Sequence, residues 1–388
     1  MMREILAKYF KGDGVIWGVV ILLSLFSLLA VYSSTGSLAY QSQDASTATY
    51  ILKHFSLLVL SLVIIFIIHN IPYKYYSKLS QLFVVIALVL LLLTLLMGTS
   101  VNQAKRWLTL PGIGLTIQTS DFAKLALVMY IARILSVKQY KIGDSREVLG
   151  YLFIPTIIIC GLILPANLST ALILFATVMI LLFIGRVRMK YILGFVGIGI
   201  VLLGMLIGGI MLTGKEGRIA TWQSRIEHFM DGEEAENYQV EKSKIAIATG
   251  GILGKGPGNS TQRDFLPFAY SDFIYAIIVE EYGFVGGLVI LFLYLFLLYR
   301  AGVIVKRSTR TFGAFLSIGL ALLLVIQALI NMAVTVHLIP VTGQTLPFVS
   351  MGGSSLLFTS IAIGIILSVS RSVGDEPANK KKKERKDE

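Results

Sequence analysis

The feature that most constrains this chain is a series of apolar runs at about 15–31, 51–69, 79–98, 121–136, 149–164, 169–185, 191–213, 272–299, 311–336 and 350–370. A helix needs roughly 20 apolar residues to cross a bilayer core, and most of these runs approach or exceed that length. The expected fold is therefore an all-α polytopic membrane protein of about ten transmembrane helices. Composition agrees: 55% of the 388 residues are hydrophobic and 14% charged, which leaves too little polar surface for a soluble chain.

Charge then orders the runs. The 34 Lys and Arg outnumber the 22 Asp and Glu, for a net charge of +12. These cations fall between apolar runs and form no basic domain, so they point to membrane orientation and not to nucleic acid. The connections with Lys74 and Lys78, with Arg133, Lys138, Lys141 and Arg146, with Arg186, Arg188 and Lys190, and with Arg300, Lys306, Arg307 and Arg310 are basic. They alternate with connections that nearly lack cations, and the positive-inside rule puts the basic ones in the cytoplasm with both termini. Residues 1–375 read as one membrane domain, with an uncleaved first helix and no signal peptide. The tail 376–388 reads as a disordered, basic cytoplasmic end facing anionic lipid. The single cysteine, Cys160, sits in an apolar run, so neither an intrachain disulfide nor a Cys-based metal site is available.

The connection 214–271, between helices seven and eight, is large and extracytoplasmic on this scheme. Its first part has helical spacing and mixed charge, as in amphipathic helices on a membrane face. GGILGKGPGNS follows, with glycines that expose backbone N–H groups around Lys255; this is an anion site or a plain flexible turn. It lacks the spacing of a nucleotide-binding P-loop. Ser271-Asp272 comes next, at the mouth of the eighth helix, where either side chain could be an N-cap or Asp272 could be a functional carboxylate. Glu280 and Glu281 would lie roughly 12–14 Å deeper, where ionisable groups belong to functional sites or internal ion pairs.

Two further segments share that side. Asn102-Gln103-Ala104-Lys105-Arg106-Trp107 offers a guanidinium fork, a point charge and an indole, suited to a diphosphate or to an interfacial anchor. Gln118, Ser120, Asp121 and Lys124 carry polar groups into the fourth helix, where Asp121 and Lys124 could pair or meet a ligand. Residues 337–356, with two prolines, Gly343 and the cluster around Ser354, read as a re-entrant approach to the last helix.

The blocks NQAKRWL, QTSDFAK, PANLSTA, GGILGKGPGNSTQ, LPFAYSDFIYAIIVEEYGFVGG and TGQTLPFVSMGGSS, in this order over nearly the whole chain, resemble the SEDS family of bacterial cell-wall polymerases, the FtsW/RodA group. The start KGDGVIWGVVILLSLFSLLAVYSS and the block TGQTLPFVS are more similar to the division-type branch than to the elongation-type one. Three positions depart from the family pattern: Phe268 replaces an acid in LPEAHTDFIF-like sequences, Asn167 an Asp, and Met351 a Tyr.

The resemblance implies a peptidoglycan glycosyltransferase in the bacterial cytoplasmic membrane, at the division septum. It would polymerise lipid II beside a class B penicillin-binding protein transpeptidase and other division proteins. It further implies Asp272 as general base, Lys105 and Arg106 on the diphosphate, and Trp107, Gln118, Ser120, Lys124, Lys255 and Ser354 as substrate-binding residues. A divalent cation, Mg or Mn, near Asp272 would assist; no organic cofactor is implied. A lipid II flippase is the alternative from another class, since intramembrane charges and a broken last helix also suit a transporter. A scaffold explains the helices and leaves the clustered motifs without a role.

Overall fold

A computed structural model describes residues 11–35, 47–101, 104–109, 116–139, 146–213 and 238–387. The first helix, α1 (Gly14–Ser34), begins where Asp13 Oδ1 accepts from the backbone N–H groups of Val15 (2.9 Å) and Ile16 (3.4 Å). Then come α2 (Thr47–Asn70) and α3 (Lys74–Met97). Strands β1 (Thr99–Val101), β2 (Ala104–Thr109) and β3 (Thr116–Gln118) form an antiparallel sheet in the order β1-β2-β3. The remaining helices are α4 (Thr119–Val137), α5 (Arg146–Ile163), α6 (Leu168–Ile184), α7 (Met189–Thr213), α8 (Tyr238–Gly250), α9 (Ile274–Arg307), α10 (Thr311–Thr335) and α11 (Gly353–Asp387).

Among the described residues, six helices are long and apolar enough to cross a membrane: α1, α2, α3, α9, α10 and the Gly353–Gly374 part of α11. Three shorter apolar stretches lie in α5, α6 and α7. With α4, which carries Asp121 and Lys124, they give ten, and the chain is a multi-pass, all-α membrane protein. One further helix among the described residues, α8, lies against α9. The small sheet departs from the sequence expectation, and so does the backbone of 376–387, which is helical in a run of strong helix formers.

Burial separates centre from rim. In α10 and α11 about two-thirds of the apolar window is inside the bundle (67%), against 22% in α2 and 28% in α3, whose exposed leucines and isoleucines face lipid. The helices alternate in direction, so the bundle has two distinct ends. At one, Asp13 pairs with Arg300, Arg133 donates to the Ser77 carbonyl, and Arg371 donates to Asn70. At the other lie the sheet, α8 and the segments 251–273 and 338–352.

Helix α9 breaks at Gly283, whose φ of 70° and ψ of −173° are not helical. The Gly-rich turn after α8 packs into the break: Lys255 N–H donates to Glu280 O (3.0 Å) and Gly256 N–H to Glu281 O (2.9 Å). A Cβ on Gly254 would come within 2.2 Å of Glu281 O, and one on Gly283 within 2.2 Å of Ile252 O. Only glycine permits that approach at a positive φ. The part of α9 beyond the break is itself about 37 Å long, enough for a bilayer core of about 30 Å. Glu280 and Glu281 therefore stand at the end of the span, and not deep within it as the sequence predicts.

Candidate functional site

Asp272 lies in the turn between Leu266 and α9. The N-cap of α9 is Phe273, without a side-chain cap bond, so neither Ser271 nor Asp272 caps the helix. Instead Ser271 Oγ donates to Asp272 Oδ1 at 3.0 Å, and both side chains are half-buried. Gly343 of the re-entrant segment faces the carboxylate; its φ is +64°, and a Cβ there would sit 3.6 Å from Asp272 Oδ2. Burial, with Asp272 and Tyr50 nearby, raises the Tyr270 phenol above its ordinary value, so it stays a protonated neighbour of the site.

Deeper in the same end lies a buried polar group. Lys124 Nζ pairs with Asp121 Oδ1 (2.9 Å) and donates to Gln327 Oε1 of α10 (2.9 Å). Gln327 Nε2 donates to Thr345 O (3.0 Å), and Thr345 Oγ1 is 3.1 Å from Ser355 Oγ. Asp121, Lys124, Gln327, Ser355 and Thr359 line a small cavity here. Two of the predicted contacts are close by: Gln118 Nε2 donates to Ser120 Oγ (3.1 Å), and Gln118 N–H donates to Ser354 Oγ (3.4 Å). Of the residues expected at the substrate, Gln118, Ser120, Lys124 and Ser354 thus gather around α4 and α11.

The sheet carries the other cluster. Trp107 pairs in register with Gln118, and Arg106 Nε donates to Ala166 O (2.8 Å) in the turn between α5 and α6. Arg106, Thr94, Ser120 and Asn167 line a second cavity. The Lys105 side chain lies outside the described residues. Asn167, one of the three departures, is the N-cap of α6 and accepts from Thr170 N–H at 3.2 Å. Asn caps as well as Asp, so the substitution keeps the local structure.

Lys255 stands apart. Its Nζ pairs with Glu280 Oε1 (2.6 Å) and donates to Thr261 Oγ1 (2.8 Å), so the chain's own carboxylate occupies the place expected for an anion. Ser260 Oγ and the backbone N–H groups of Thr261 (3.1 Å) and Gln262 (3.3 Å) also donate to Glu280, and Ser33 Oγ donates to Glu281. The structure brings Lys255 into a loop clamp with Glu280 and Thr261. Sequence reasoning gave Gln344 and Thr345 no individual role within the block TGQTLPFVS, and missed Gln327 and Asn331, lone polar residues in an apolar helix. Their only signal is being polar there.

As for a metal, no three His, Cys, Asp or Glu side chains converge among the described residues. Asp272 offers one carboxylate, which fits an Mg ion held mainly by substrate phosphate and water, not a protein cage.

The sequence model of the cell cycle protein family that covers FtsW, RodA and SpoVE matches residues 13–374. The chain belongs to this family. A probable peptidoglycan glycosyltransferase FtsW from Trichlorobacter lovleyi is 35% identical, over 95% of this chain and 96% of its own length. Stage V sporulation protein E of Bacillus subtilis is 33% identical, over 91% and 95%. Among solved structures, Thermus thermophilus rod shape determining protein RodA superposes with a TM-score of 0.65 at 25% identity, covering 93% of this chain and 97% of that one. A chain of a peptidoglycan synthase complex, studied for coordination of polymerization and crosslinking, gives 0.71 at 25% identity, over 93% and 98%.

Proposed function

We propose that this SEDS protein is a peptidoglycan glycosyltransferase that polymerises lipid II during cell division, with undecaprenyl diphosphate as leaving group. One observation carries the reading: the Asp272 carboxylate shares an end of the bundle with Arg106, and polar contacts connect the two regions. Arg106 holds the Ala166 carbonyl, the adjacent Asn167 caps α6 at Thr170, and Gln344 Nε2 donates to Thr170 Oγ1 (2.9 Å) from beside Gly343. The positive-inside rule puts that end outside the bacterial cytoplasmic membrane, where the substrate's sugars and diphosphate are presented.

In this reaction Asp272 takes the proton of the acceptor hydroxyl as that oxygen attacks the donor's anomeric carbon. The anomeric bond to the diphosphate breaks, and Arg106, with Lys105, stabilises the charge that develops on the leaving group. An α-linked donor gives a β-linked strand, so the configuration inverts in a single displacement with no covalent enzyme intermediate. A bound Mg or Mn ion would supply further charge neutralisation at the diphosphate. The apolar faces of the helices suit the polyprenyl chain. The peptidoglycan synthase complex with the same fold supports a class B penicillin-binding protein as partner, alongside other division proteins at the septum.

The test is purified protein given labelled lipid II on the outer face, with and without its transpeptidase. Asp272→Asn keeps the shape and removes the base, so strand synthesis should fall by about 10²–10⁴-fold while the protein inserts and binds its partner normally. Synthesis by the Asn variant at the parent rate removes Asp272 as base. Translocation of lipid II without synthesis by the parent protein would make it a flippase. EDTA should slow the parent reaction and added Mg or Mn restore it; full activity in EDTA excludes an ion from the step.

A further inference from the structure

The turn that carries Asp272 is pinned from behind at three consecutive backbone carbonyls. Met351 N–H donates to Tyr270 O (2.9 Å), Ser350 Oγ to Ser271 O (2.6 Å), and Asn331 Nδ2 to Asp272 O (2.7 Å). None of these is a helical bond, because α9 starts only at Ile274. The same Asn331 nitrogen donates to Gln344 O (2.7 Å), and Ser350 Oγ accepts from Leu346 N–H (2.8 Å). Asn331 and Ser350 are 1% and 3% exposed, so these bonds lie inside the protein. Two carbonyls at one amide also fix its orientation, since only the NH₂ side can face them.

We propose that Asn331 and Ser350 are positioning residues for catalysis: together they lock the backbone of the Asp272 turn to α10 and the re-entrant segment, and so set where the carboxylate points. The inference rests on Asp272 being the base. Among the contacts of the Asp272 carboxylate are Ser271 Oγ of the same turn and the backbone at Gly343. The re-entrant segment is itself tied to α6 by Gln344 and to α4 through Thr345, Gln327 and Lys124. It therefore links the base to the polar groups around α4, and Asn331 stands at that joint. Losing either donor leaves a buried carbonyl unsatisfied and frees the turn, and a displacement of about 1 Å can cost about 10²-fold in rate.

The experiment measures initial rates against lipid II concentration for the full-length protein with its transpeptidase. Asn331→Ala and Ser350→Ala should each lower kcat by about 10–100-fold while KM stays within about twofold, and Ser350→Thr, which keeps the hydroxyl, should recover most of the rate. Ser243→Ala is the matched control. It removes an equally buried hydroxyl bond, to Thr335 O of α10 (2.8 Å), without touching the turn, and should leave kcat at the parent value. Parent kcat in Ser350→Ala, or an equal loss in Ser243→Ala, overturns the proposal; if Asn331→Ala fails to insert, the Ser350 pair decides alone. Asp272→Asn run in parallel separates the two levels. An active Asn variant sinks the base assignment, whereas an inactive one beside fully active Asn331→Ala and Ser350→Ala sinks only the positioning.

Discussion

At the residue scale, the geometry gives Arg106 two possible duties, and they make different predictions. Its Nε holds Ala166 O, which ties β2 to the turn between α5 and α6, while the guanidinium borders a cavity with Ser120 and Asn167. If it carries leaving-group charge, Arg106→Ala should lower kcat by about 10²–10³-fold, the usual cost of losing one preorganised donor, with membrane level and thermal midpoint near the parent. Arg106→Lys should recover only part of that, because a point charge lacks the planar fork. An anchor alone would lower the midpoint and leave the rate per folded molecule unchanged. The sequence draws attention to Asp272 because a carboxylate right after a polar loop and right before an apolar run is conspicuous, while its proposed role as base comes from the family resemblance. Asn331 was not legible there, because its role depends on which carbonyls α10 meets, and spacing along one helix does not encode its neighbours. Lys255 shows the opposite failure. Its glycines point to an anion, and the anion is Glu280, 25 positions later.

At the element scale, the apolar runs located ten helices, most to within a few residues, though α9 runs on to Arg307 and α11 to Asp387, and the places where backbone departs from helix escaped them. The sheet of 99–118 and the break at Gly283 depend on hydrogen bonds between distant segments, which hydropathy does not register. The break offers its own test. Gly251 and Gly283 both have positive φ, 55° and 70°, so an alanine is strained at either, and more so at Gly283, whose ψ of −173° puts it in a region essentially reserved for glycine. They differ in room: a Cβ on Gly251 meets nothing within 4 Å, whereas one on Gly283 meets the Ile252 carbonyl at 2.2 Å. Gly283→Ala should therefore lower the thermal midpoint of the detergent-solubilised protein by several degrees more than Gly251→Ala, since backbone must move and the Glu280 clamp with it. Equal midpoints would mean that the turn does not hold the break in solution.

At the scale of the whole molecule, every role proposed for Asp272 and Arg106 requires their end of the bundle to face outward. The fold separates the ends by itself: Ser33 meets Glu281 at one, and Asp13 meets Arg300 at the other, so α1 and α9 run the length of the bundle in opposite directions. The loops at the Asp13 end hold Lys74, Lys78, Arg186, Arg188, Lys306, Arg307 and Arg310, and moving such clusters across a membrane during insertion is disfavoured. Cysteine labelling reads the orientation directly. The native Cys160 is buried, so the background of the parent protein is low. Asn259→Cys, exposed beside the Glu280 clamp, should react with a membrane-impermeant maleimide in intact cells, whereas Ser308→Cys at the foot of α9 should react only after permeabilisation. The reverse pattern would put Asp272 in the cytoplasm. There the carboxylate could not reach lipid II presented outside, and the polymerase reading would fall together with the positioning roles of Asn331 and Ser350, whatever the rates of their variants.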